Sequence, residues 1–137
     1  MLRSVKAQDY MATNLISFSP ETQLFDAIRA LQEYGISGAP VVNPEGQLVG
    51  MLSELDCLQA ILTQTYHEEE MGSGGHVRDY MTVQVDTVAH DADLTTVARQ
   101  FIERGRRRLP VVHNGRLVGQ ISRGDILRAV EEFAKDG

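Results

Sequence analysis

Gly35-Ile36-Ser37-Gly38-Ala39-Pro40-Val41-Val42 and Gly105-Arg106-Arg107-Arg108-Leu109-Pro110-Val111-Val112 are two copies of one phrase, 105 − 35 = 70 residues apart. Each begins on a glycine, the residue that accepts the left-handed conformation at a helix end. Each finishes on β-branched residues behind a proline, as a short strand does. The similarity extends outward in both directions. Upstream, Asp9-Tyr10-Met11 recurs as Asp79-Tyr80-Met81 at the same offset of 70. Downstream, after a one-residue deletion, Gly46-x-Leu48-Val49-Gly50 recurs as Gly115-x-Leu117-Val118-Gly119, and Ser53-x-x-Asp56 as Ser122-x-x-Asp125, both at offset 69. Aligned this way, residues 9–60 and 79–129 share 18 identities over 51 pairs, so the chain is an internal duplication.

Local signals follow the same order in both copies. Leu15–Phe18 and Val83–Val88 read as short strands. Leu24, Ala27, Ile28 and Leu31, and in the second copy Leu94, Val97, Ala98, Phe101 and Ile102, fall on one helical face. Gly35 and Gly105 close those helices. Two strands joined by a tight turn come next: Ala39–Asn43 with Gln47–Ser53, and Leu109–His113 with Arg116–Ser122. Second helices are predicted over Glu54–Tyr66 and Arg123–Ala134. The fold class is therefore α/β (α+β), two βαββα-like repeats over 1–66 and 77–137, with an acidic and then glycine-rich linker over 67–76. A single repeat of about 55 residues buries its apolar faces poorly, so the pair is expected to fold as one unit around a pseudo-two-fold axis.

Composition narrows the function classes. With 42% hydrophobic residues and 23% charged, the chain has the makeup of a globular protein. Its net charge of −6 argues against nucleic acid as a partner. No segment reaches the ~18 consecutive apolar residues of a membrane span, and the N-terminus lacks a signal-peptide apolar core. The single cysteine, Cys57, cannot form an internal disulfide and lies among apolar residues, so it is expected in the core of a protein from the reducing cytoplasm. The tract His67-Glu68-Glu69-Glu70 with His76 reads as a solvated linker rather than a metal site. No histidine pairs with a serine or cysteine nucleophile, and catalysis is not expected.

The ordered motifs (apolar strand, helix, Gly-x-x-x-(Ala/Leu)-Pro-Val-Val, Gly-x-Leu-Val-Gly, Ser-x-x-Asp, helix) resemble the CBS domain family, over nearly the whole chain and twice. The resemblance implies a tandem CBS pair, usually dimeric and regulatory rather than catalytic. Its inter-repeat clefts would hold an adenosine-containing ligand such as AMP, ADP, ATP or S-adenosylmethionine, with no catalytic cofactor. It further implies that Asp56 and Asp125 accept hydrogen bonds from ribose hydroxyls. Ser53 and Ser122, at helix starts where free N–H groups favour anions, are candidates for phosphate contact. Ser37, Gly38, Ala39 and Pro40 in the first copy, and Arg107, Arg108, Leu109 and Pro110 in the second, would lie against the base, with Ser17 and Thr87 beside them. Ser-x-x-Asp opening a helix also reads as a capping box, which stabilises the helix end whether or not anything binds. A homodimer is expected, as is a separate regulated protein, because no effector domain is fused to this sequence. The alternative is a ligand-free dimerisation or protein-interaction scaffold.

The two copies differ in charge. The second carries Arg123 beside Asp125, with Arg104, Arg106, Arg107 and Arg108 nearby; the first has Glu54 where Arg123 stands and small residues where the arginines stand. Guanidinium groups bind phosphate as forks, whereas a carboxylate repels it. The second copy is therefore expected to take the phosphorylated ligand. Asp86, where the first copy has Ile16, is a departure within that basic copy.

Overall fold

In the computed structural model, which describes residues 2–65 and 74–136, the apolar stripes become two separate cores. The elements in chain order are α1 (Ala7–Tyr10), α2 (Leu24–Glu33), β1 (Gly38–Val42), β2 (Leu48–Ser53), α3 (Glu54–Thr65), α4 (Val77–Tyr80), β3 (Val88–Ala89), α5 (Leu94–Arg104), β4 (Arg108–His113), β5 (Arg116–Ser122) and α6 (Arg123–Asp136). A 3₁₀ turn at Leu2–Ser4 precedes them.

The packed units cut across the sequence copies. One comprises Met1–Leu15 with Asp86–Gly137, the other Ile16–Val85. The leading helix of each copy thus completes the core of the other copy's unit. Ala7 of α1 is buried with Leu94, Val97 and Val111, whereas Val77 of α4 is buried with Leu24, Ala27 and Val41. Backbone bonds fix the exchange: the Ala7 N–H donates to Ala92 O at 2.8 Å, and the Val77 N–H to Thr22 O at 2.8 Å.

Within the units, most core residues fall at equivalent positions of the repeat alignment. Phe18, Leu24, Ala27, Leu31, Ala39, Val41, Leu52, Cys57 and Ala60 in one occupy the places of Val88, Leu94, Val97, Phe101, Leu109, Val111, Ile121, Ile126 and Ala129 in the other. Volume is traded rather than conserved. Ala27, Ala39 and Cys57 are matched by the larger Val97, Leu109 and Ile126, while Phe18 and Val77 are matched by the smaller Val88 and Ala7. Such compensation keeps each interior close-packed. Burial pushes the Cys57 thiol up, and the Asp56 and Glu54 carboxylates add to the effect, so Cys57 is an inert packing residue.

The hairpins share a register. Gly38 pairs with Ser53 and Val41 with Gly50 in β1–β2; Arg108 pairs with Ser122 and Val111 with Gly119 in β4–β5. Each ladder slips one residue between its two valines, at Val41/Val42 and at Val111/Val112. The predicted first strands shrink. Leu15–Phe18 contributes only a parallel bridge from Phe18 to Val41, and of Val83–Val88 only Val88 enters β3. The chain meets β1 and β4 along one or two residues, too few to order the whole apolar stretch as a strand. Gly35 and Gly105 follow their helices at φ 61° and 62°.

The Asp-Tyr-Met repeats open the two short helices and lead the chain to a hairpin edge. The Asp9 and Asp79 carboxylates accept the Lys6 and His76 N–H groups at 2.9 and 3.0 Å, opening α1 and α4. The residue after each methionine then pairs with a hairpin edge: Ala12 exchanges two backbone bonds with Gln120, and Thr82 two with Met51. Gly119 and Gly50 permit this approach, because a Cβ on either would stand 2.9 Å from the Ala12 or Thr82 carbonyl oxygen and closer still to the Met11 or Met81 sulfur.

Candidate functional site

In each unit the start of the first hairpin strand, the end of the second and the start of the following helix meet at one corner. In the Ile16–Val85 unit the Glu54 N–H donates to Ser37 O at 2.9 Å, and Gly38 faces Ser53 across the ladder. In the other unit the Arg123 N–H donates to Arg107 O at 3.3 Å, and Arg108 faces Ser122. Ala39 and Leu109 point into the cores (1% exposed each), so only their backbones are available at the corner. Pro40 is also buried; its carbonyl accepts the Phe18 N–H at 2.9 Å, which sets Ser17 next to this strand. Pro110 is buried at the equivalent place, and Thr87 is held by its carbonyl, which accepts a Gln100 Nε2 bond at 3.0 Å.

Both Ser-x-x-Asp motifs form reciprocal capping boxes. The Asp56 N–H donates to Ser53 Oγ at 3.2 Å, and the Ser53 N–H to Asp56 Oδ2 at 2.9 Å. The corresponding distances at Ser122 and Asp125 are 3.2 and 2.8 Å. The cap thus accounts for one carboxylate oxygen and leaves Oδ1 to define the site. In the Ile16–Val85 unit the Thr82 hydroxyl reaches Asp56 Oδ1 at 3.1 Å. In the other unit Ala12 occupies Thr82's place, and Asp125 Oδ1 faces Arg128 Nη2 at 3.6 Å. Arg128 is itself anchored: it donates to Tyr10 O at 3.1 Å, and its guanidinium lies 5.3 Å from the Tyr10 ring centroid. Tyr10 in turn donates to Glu132. The Thr82 and Arg128 contacts were missed in the sequence; the Asp-Tyr-Met repeat was their available signal.

The arginines do not act as one patch. Arg104 Nη1 and Arg106 Nε donate to Asp86 at 3.1 and 3.2 Å, and Arg123 Nε donates to Arg106 O at 2.7 Å. Arg107 and Arg108 are exposed and form no side-chain ion pair among the described residues. Glu54, by contrast, is exposed at the opening of α3. The tract His67–Glu70 lies outside the described residues.

Exposed apolar side chains line the helix pairs. Leu55 and Leu58 (70% and 57% exposed) border a groove of about 410 Å³ between α2 and α3. Ile102 and Leu127 border one of about 460 Å³ between α5 and α6. Ile126 also borders this groove, with its side chain packed into the core at 7% exposure. Among the described residues no helix is long and apolar enough to cross a membrane.

The repeated unit and its polar corner define a duplicated α/β module with one candidate ligand seat per unit. The chain belongs to the CBS domain family, whose model matches residues 7–63 and 77–132. It is similar to CBSX2 of Arabidopsis thaliana, solved in complex with AMP, with 32% identity, a TM-score of 0.80, and coverage of 94% of this chain and 98% of that one. The uncharacterized protein MJ1225 of Methanocaldococcus jannaschii is 33% identical over 121 residues, covering 88% of this chain and 41% of that protein. The CBS pair of MJ0100 shares the fold at a TM-score of 0.72 and 24% identity, covering 94% and 98% of the two chains. This chain spans less than two thirds of the length of several curated relatives that it matches, among them the A-adding tRNA nucleotidyltransferase of Aquifex aeolicus at 15%.

Proposed function

We propose that this chain is a non-catalytic regulatory module that binds an adenosine-containing ligand of the AMP class, with the unit containing Asp125 as the principal seat. The observation that carries the reading is the corner around Asp125. A helix N-terminus opened by Ser122, a carboxylate with an oxygen beyond its cap, and the exposed Arg107 and Arg108 beside Arg123 meet there. A carboxylate suits a vicinal diol, because each oxygen accepts more than one hydrogen bond. The N-terminus and guanidinium groups suit a phosphate. The AMP complex of CBSX2, at 32% identity over nearly the whole chain, supports the ligand class.

In this reading, Ser17, Ser37, Gly38, Ser53 and Asp56 form a weaker seat, since Glu54 repels phosphate. Bound nucleotide changes the shape presented to a regulated protein in the cytoplasm, by stabilising the conformation it prefers. The exposed Leu55, Leu58, Ile102 and Leu127 support homodimerisation through the helix grooves. They equally favour a second reading, a dimerising scaffold that takes no nucleotide. Thermal unfolding with AMP, ADP, ATP and S-adenosylmethionine separates the two. A ligand at 100 times its Kd adds about 2.7 kcal/mol of stability. Stabilisation by an adenine nucleotide is expected; no response to any of the four supports the scaffold.

A further inference from the structure

The arginine-rich corner already contains an anion. Asp86 stands just before β3, where the other unit has Ile16, and its carboxylate spans two guanidiniums. Oδ1 takes Arg104 at the end of α5, and Oδ2 takes Arg106 just beyond Gly105. The Asp86 side chain is 25% exposed, against 56% and 58% for the arginines, so the carboxylate is the more sheltered member of the trio. Arg106 also joins the trio to the candidate seat, because its carbonyl receives Arg123 Nε at 2.7 Å. Of the five arginines at this corner, two therefore share one internal carboxylate, which leaves that trio a single net positive charge, and Arg107, Arg108 and Arg123 form no ion pair among the described residues.

We infer that Asp86 is a specificity-determining residue of the Asp125 seat, an internal anion that limits how many phosphate groups the seat accepts. The inference rests on the nucleotide-binding reading proposed above. One phosphate group can be met by the unpaired arginines and the N-terminus of α6. Further phosphates extending toward Arg104 and Arg106 meet one net positive charge in place of two, on guanidinium donors already engaged by a carboxylate that itself repels them. The seat thus discriminates against di- and triphosphates. Asp86 touches no reacting atom; it acts by occupying two cations.

The test is calorimetric titration of wild type and Asp86→Asn with AMP and with ATP in the absence of divalent cations, following the binding phase that Asp125→Ala removes. Asparagine keeps the shape and loses the charge. The ATP-to-AMP affinity ratio is expected to rise on the order of tenfold, the lower end for hydrogen bonds to charged groups because both guanidiniums are more than half exposed. Adding Arg104→Gln and Arg106→Gln to Asp86→Asn should return the ratio toward the wild-type value. Wild type that binds AMP with a ratio unmoved by Asp86→Asn overturns the inference alone, as does a gain that survives loss of both arginines. Wild type that binds neither nucleotide overturns the underlying reading as well.

Discussion

The two units bury the same set of aligned positions, Val5 apart, yet their polar corners have diverged. Leu24 and Leu94, Val41 and Val111, and Ala60 and Ala129 fill the same places. Both corners keep the Ser-x-x-Asp capping box within about 0.1 Å. The differences begin one shell out. Asp56 meets a threonine hydroxyl and stands near Glu54; Asp125 meets an arginine and stands near Arg123. Folding constrains the buried positions and the cap, whereas the surrounding charges are free to distinguish one seat from the other.

The strongest test of the shared frame is the close contact between each hairpin and its exchanged segment. Gly119→Ala and Gly50→Ala should each cost about 1–3 kcal/mol, the usual range for overpacking a buried position. Denaturant unfolding measures both. A neutral result at one of them would mean that the two edges are not equivalent. The caps come next: Ser122→Ala and Ser53→Ala should each cost about 1 kcal/mol. Losses differing by more than the size of that effect would show that one corner relies on its box more than the other.

The smallest expected effect separates the units by pH. Asp93 caps α5, and the Thr96 N–H bond, foremost, holds its carboxyl below the usual carboxylate range; Gln23 at the start of α2 makes no side-chain cap bond. A carboxyl depressed in the folded state contributes stability above its unfolded pKa of about 3.9 and loses it as pH falls through the lower folded value. The stability gap between wild type and Asp93→Ala should therefore narrow below about pH 4. Gln23→Ala should show no such dependence. Thermal unfolding across pH 2–7, on the order of the carboxylate range, reads both.

Most of the repeated frame was legible because duplication samples each signal twice. The helix stripes, the glycine helix ends and the hairpins all lie within a residue or two of their predicted bounds. The exchange of α1 and α4 was not legible, since hydrophobic periodicity says which face is buried but not against which copy. Helices of four residues also show too little period to detect. At the corners, the motifs indicated Asp56 and Asp125, but the Asp-Tyr-Met repeat, which places Thr82 and anchors Arg128 through Tyr10, does not by itself say which carboxylate these residues reach. Counting arginines overstated the free positive charge, because the pairing of Asp86 with Arg104 and Arg106 depends on a turn closing across 18 and 20 residues of chain.

Calorimetric titration of AMP into wild type, Asp125→Ala and Asp56→Ala tests the central claim most directly. A hydrogen bond to a charged group is worth roughly 1.5–3 kcal/mol, so Asp125→Ala should weaken AMP on the order of ten- to a hundredfold, and Asp56→Ala should weaken it less. Equal losses, or a larger loss at Asp56, would contradict the assignment of the principal seat. Wild type with no detectable AMP binding would contradict the nucleotide-binding account altogether.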